Sequence, residues 1–173
     1  VFIVEVPSYE LMLRTGAFDT VYHEHLSYWS FQAMCELAND QGFTVQWAKV
    51  FPEIHCGTFR FWLDKKAPAC DLPNPVRYGP GPEDFAEFRA HIDRTGKLVR
   101  SVLSMFPDMA GVTASAKSNV ILNQASGRYD SGLLYLVDDA ETKQGKFVPG
   151  VGLEVKPFTS ETVRDLSAAV ILS

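Results

Sequence analysis

Several things are scarce in this chain, and each scarcity excludes something. Only three cysteines occur (Cys35, Cys56 and Cys70), far apart and without a CxxC pair. That spacing suggests neither a disulfide framework nor a zinc knuckle, and it fits a reducing, cytoplasmic setting. No apolar run approaches the ~18 residues of a membrane helix, and no signal peptide is recognisable. Positive charge is in deficit: the formal net charge is −5, and no Lys/Arg cluster offsets it, which argues against a nucleic-acid surface. The glycines never fall into a GxGxxG or Walker pattern.

What is present is globular composition, with 46% hydrophobic and 21% charged residues over 173 positions. That is enough for one ordinary domain or two small ones. The first and last residues both lie inside apolar runs, VFIVEVP and AAVILS, which read as buried parallel strands. The expectation is a piece of a longer protein.

Along the chain, Val1–Val6 reads as a strand ended by Pro7, and Tyr9–Thr15 as a helix broken at Gly16. Ser30 suits an N-cap for a helix carrying Phe31, Met34, Cys35, Leu37 and Ala38 at helical spacing, closed by Gly42. Phe43–Phe51 and Thr58–Leu63 are rich in β-branched and aromatic residues and read as an antiparallel pair. A proline-rich stretch from Ala67 to Pro82 marks a boundary. Glu83–Phe106 is a long helix, weakened at Gly96 by roughly 1 kcal/mol relative to Ala. From Ala110 short apolar strands alternate with helices: GVTAS, Lys117–Ala125, Leu133–Val137, Leu153–Pro157, Ser160–Leu166 with Ser160 as N-cap, and AVILS. That alternation implies a parallel α/β sheet.

Potential chemistry concentrates in Tyr22-His23-Glu24-His25-Leu26-Ser27-Tyr28, between a predicted strand and a predicted helix. Histidine is the default general base near neutral pH. Glu24 could orient a ring or balance its charge, and Tyr22 and Tyr28 could donate to an oxyanion. The same residues also serve as ordinary hydrogen-bonded loop residues, and His23, His25 and His55 have the donor type of a metal site. Ala114-Ser115-Ala116-Lys117-Ser118-Asn119, at a strand-to-helix turn, is either a phosphate cradle or a plain polar turn. Lys143-Gln144-Gly145-Lys146-Phe147-Val148-Pro149-Gly150 is either a solvated loop or a second phosphate contact. Glu5, on an apolar strand, must find a partner, face the sheet end or shift its pKa.

EVP, FDTVYHEHLSYWS, HCGTFRFW, ASAKSN…LN and VDDAETKQGKFVPG follow one another in an order and approximate spacing that resembles the S-adenosylmethionine-dependent sugar C-methyltransferases of nucleotide-linked deoxy-keto-sugars. YHEHLSY and KQGKFVPG are the most specific of these pieces, and the resemblance covers nearly the whole chain. It implies an α/β fold in three parts. Residues 1–66 would be the tail end of a class I methyltransferase sheet, with late strands plus an antiparallel hairpin. Residues 67–109 would be a proline-rich linker and long helix, and 110–173 a truncated Rossmann-like domain.

The resemblance also assigns roles. His25 would be the base that deprotonates the carbon next to the ketone, with Glu24 and Tyr22 lining the sugar pocket. Enolate stabilisation by hydrogen bonds makes that proton removable by an imidazole. Charge and placement, and not the resemblance, make Ser115, Lys117, Asn119, Lys143 and Lys146 candidates for the nucleotide diphosphate, with Tyr28 and His55 as further contacts to the nucleotide-linked sugar. S-adenosylmethionine would be bound mainly by an N-terminal half missing from this chain, and zinc is expected only there, so the fragment alone is expected to be inactive. The chain departs from the family pattern at Val112-Thr113 and Ser118, where GYGASAKGN-like sequence is usual, and at His55-Cys56-Gly57-Thr58, where HGGS is usual. Two other readings stand beside this one: a non-catalytic nucleotide-sugar binding module, and a metal enzyme using His23, His25 and His55. No nucleic acid or membrane partner is expected. Exposed sheet edges are expected to drive self-association, which light scattering would detect.

Overall fold

The computed structural model describes residues 1–65, 79–125 and 132–172. Most of the proline-rich stretch therefore lies outside the described residues. The chain divides into two compact units, one of Val1–Phe18 and Glu24–Arg89, the other of Asp19–His23 and Ala90–Ser173.

The first unit opens with strand β1 (Phe2–Pro7) and helix α1 (Tyr9–Thr15), which Ser8 caps by accepting from the Leu11 N–H and Gly16 ends in the left-handed region. Helix α2 (Phe31–Asp40) has the expected Ser30 cap. Strands β2 (Thr44–Phe51) and β3 (Thr58–Asp64) form the expected hairpin. The sheet order is β1-β3-β2, with β1 antiparallel to β3.

The expectation of a buried parallel strand at Val1–Val6 is corrected here. Val4 and Val6 pack inward, while Phe2 and Ile3 are more than half exposed. An antiparallel sheet buried on one face imposes this alternation, which a continuous Val/Ile run does not announce. Glu5 finds its partner across the strands in Arg60, at the facing register position. Helix α2 lays Phe31, Met34 and Ala38 on the inner face of the sheet, against Val45, Phe59, Phe61 and Leu63. Phe59 and Phe61 are fully buried, and their rings lie 5.3 Å apart with Phe31 about equally close to both. Each such ring contributes roughly 1.5–3 kcal/mol on burial.

In the second unit, helix α3 (Pro82–Leu103) enters from the first unit and leads to strand β4 (Met109–Val112). Helix α4 (Ala116–Ala125), strands β5 (Leu133–Asp138) and β6 (Val155–Pro157), the single-turn helix α5 (Ser160–Val163) and strand β7 (Ala168–Ile171) follow. The cap of α5 is Thr159, one residue earlier than expected, in a reciprocal capping box with Thr162. The four strands are all parallel, in the order β6-β5-β4-β7. This is the 3-2-1-4 order with which a Rossmann sheet begins, and the expected Rossmann-like arrangement is present. The chain moves outward from β4 through β5 to β6, then returns to the other side of β4. That reversal is a topological switch point, and ligands of open α/β sheets bind beyond the strand carboxyl ends at such points. The core is apolar: Leu103, Met109, Leu122, Leu133, Leu136, Val148, Val155 and Leu172.

Candidate functional site

In the first unit the loop carrying His25 is fixed at its far end by backbone and side-chain bonds. The Tyr9 N–H donates to the Trp29 carbonyl (3.1 Å), and the Ser8 N–H to the Gly57 carbonyl of the hairpin turn (2.9 Å). The buried Glu10 carboxylate accepts from the Phe31 N–H at 2.8 Å and from the Ser8 hydroxyl at 3.3 Å. A carboxylate at the first turn of α2 sits where the helix dipole favours an anion. Nothing in the local sequence marks Glu10 for this role, because its partner lies beyond the whole loop.

Within that loop His25 is half-buried and stands edge-on to Tyr28, ring centroids 6.4 Å apart at 73°. Tyr28 itself packs on Met12, Leu13 and Ala17 beside Tyr9 and Phe88. Burial, and secondarily the charge of Glu10, push the Tyr9 phenol above its ordinary value, so it remains neutral. Glu24 is exposed. His55 is also exposed, in a turn where His55 and Cys56 adopt φ of 49° and 64°. Tyr22 and His23 group with the second unit, Tyr22 half-buried and His23 exposed. Among the described residues no three His, Cys, Asp or Glu side chains converge as metal ligands.

The second unit assembles the other candidates at the carboxyl end of its sheet. Ser115 precedes α4 and accepts from the Ser118 N–H (3.0 Å), while the buried Ser118 hydroxyl donates back to the Ser115 carbonyl (2.7 Å). The Ala114 N–H donates to Asp138 (2.8 Å). Two of the backbone donors expected to cradle phosphate are therefore already used, and the turn's remaining asset is the Lys117 ammonium, 3.6 Å from Asp19 of the same unit. Asn119 accepts from Asn123, which also donates to the Pro149 carbonyl at 3.0 Å.

Asp138 is the residue that sequence reasoning passed over. It ends β5, is 8% exposed, and accepts from the Ala140 N–H (2.9 Å) and the Lys143 ammonium (3.0 Å) besides the Ala114 N–H. Burial alone would raise its pKa. The bonds from Ala140, Lys143 and Ala114, with the Lys143 charge, outweigh that and hold it below the usual carboxylate range. Its position at the end of the second strand of a Rossmann-ordered sheet was the available signal. Lys143 is thus engaged with Asp138, whereas Lys146 is exposed and, among the described residues, carries no ion pair.

The turn after β4 does not fit S-adenosylmethionine. It contains no glycine, and Asp138 and Ser115 occupy its leading donors. No described helix is long and apolar enough to cross a membrane.

A family model described as C-methyltransferase C-terminal domain matches residues 81–172. The chain is also 29% identical over 162 residues to C-methyltransferase NovU of Streptomyces niveus, covering 86% of this chain and 38% of that protein. The chain therefore spans well under half the length of this curated relative.

Proposed function

The chain belongs to the C-methyltransferase C-terminal domain family, and from that premise we propose that it forms part of an enzyme methylating carbon on a nucleotide-linked keto-sugar. His25 is the general base that removes the proton from the carbon beside the ketone. The observation that carries this role is the imidazole held edge-on by a tyrosine that is itself packed on α1. A base must be positioned before its pKa matters, and the anchoring of the loop at Ser8, Tyr9 and Glu10 supports such positioning. Glu24, Tyr28 and, from the hairpin turn, His55 are the first unit's hydrogen-bonding groups toward the sugar in this reading. Lys117 and Lys146 of the second unit take the diphosphate.

The methyl donor is S-adenosylmethionine in this reading, held by parts of the whole protein outside this chain. The chain's own residues bind the sugar nucleotide, orient the ring and accept the proton at the His25 imidazole. The test is methyl transfer by the whole protein with a nucleotide-linked keto-sugar. His25→Asn should lower kcat by roughly 10²–10⁴, the range of general-base contributions, with KM within a few-fold of wild type. A variant that methylates at the wild-type rate would leave only a nucleotide-sugar binding role for the chain.

A further inference from the structure

We propose that Asp138 is a positioning residue that joins the Ala114–Lys117 turn and the Lys143–Gly150 loop into one anion-binding rim, with Lys143 serving as a strut and not as a ligand contact. This rests on the diphosphate reading above and gives Lys143, expected from the sequence to touch the sugar nucleotide, a structural role instead. Two cross-links carry it. At the first, one buried carboxylate accepts from the Ala114 N–H before α4 and from Ala140 and Lys143 after β5. The Asp138 carbonyl adds a bond from the Gln144 side chain at 3.1 Å. At the second, Asn123 of α4 donates to the Pro149 carbonyl, and Gly150 passes so close that an added Cβ would lie 2.1 Å from the Asn123 Oδ1.

The loop is further tied down along its length. Gly145 donates to the Val155 carbonyl, Val155 to the Lys146 carbonyl and Val148 to the Leu153 carbonyl, each at 2.8 Å. A loop held at this many points presents Lys146 from a fixed base. Placing a cation ahead of the ligand lowers the ordering cost of binding.

The charge inventory points the same way. A lysine already hydrogen-bonded to a buried carboxylate gives little net attraction to an incoming anion, since the pair is close to neutral. Withdrawing it would also strand the carboxylate, and an unpaired buried charge is costly. Diphosphate recognition then falls to Lys117 and Lys146. Lys117 must exchange the 3.6 Å contact with Asp19, a partly exposed pair of small worth.

Calorimetric titration of thymidine diphosphate onto the full chain tests this. Asp138→Asn keeps the shape and removes the charge. It should weaken binding roughly tenfold, the factor expected for one charge-assisted hydrogen bond. Lys143→Ala should produce a similar loss, Lys143→Arg should restore most of it, and the double variant should be no weaker than the worse single one. Lys146→Ala should weaken binding additively with Asp138→Asn. Should Asp138→Asn fail to fold, Asn123→Ala, which removes the second cross-link without touching either lysine, carries the test: weakened binding supports the joined rim, and binding within twofold of wild type overturns it. Wild-type binding with Asp138→Asn and Lys143→Ala both within twofold would overturn the positioning role and leave the diphosphate reading standing. Absence of binding by the wild-type chain would overturn both.

Discussion

Residues 55–57 show how a short turn can be set by contacts far along the chain. Gly57 has φ of 120°, and a Cβ there would fall 2.5 Å from Leu11 Cδ1 and 2.6 Å from Leu11 Cβ. The second contact matters more, because the Cβ of Leu11 is fixed by the backbone of α1 and cannot swing aside. Gly57→Ala should therefore destabilise the chain by about 2–3 kcal/mol through strain and overpacking. Cys56→Gly should have the opposite or no effect, since it relieves a left-handed non-glycine residue worth roughly 1 kcal/mol while loosening the unfolded chain. Urea midpoints of the two variants measure the pair, and equal shifts would contradict the contact. The glycine itself was legible as a turn residue, but its neighbour was not. The same holds for Glu10 and Asp138, whose partners lie across a loop or on another strand.

At the scale of elements, helical spacing and caps made most of the chain readable. Ser30, Gly16 and Gly42 stand where their chemistry predicts. Strand β1 departs from its expectation because an apolar run does not distinguish a strand buried on two faces from an edge strand packed on one. Helix α3 supplies the sharper case. Glycine in mid-helix is a weakness of roughly 1 kcal/mol by propensity alone, which predicts that Gly96→Ala stabilises. In the folded unit Gly96 is buried, and a Cβ would lie 2.8 Å from the Gln124 carbonyl oxygen of α4. Backbone yields less readily than a side-chain tip, so overpacking of about 1–3 kcal/mol should win. Thermal unfolding of Gly96→Ala should show a lower midpoint, and a raised midpoint would contradict this packing of α3 on α4.

For the whole molecule, the order of motifs was legible and the order of strands was not. Alternating apolar runs and helices pointed to a parallel sheet, but the sequence does not announce that β7 returns to the far side of β4. That return places a switch point at the end of β4, beside the lysine-bearing turn, the kind of place where ligands of open α/β sheets bind. His25 belongs to the first unit and the lysines to the second, so each half of the proposed function has its own test. The most direct one isolates proton removal from methyl transfer. The whole protein is incubated with a nucleotide-linked keto-sugar in deuterium oxide without methyl donor, and exchange at the carbon beside the ketone is followed by NMR. Wash-in is expected for the wild type, and at a rate lower by roughly 10²–10⁴ for His25→Asn. Exchange by His25→Asn at the wild-type rate would contradict the assignment of His25 as the base.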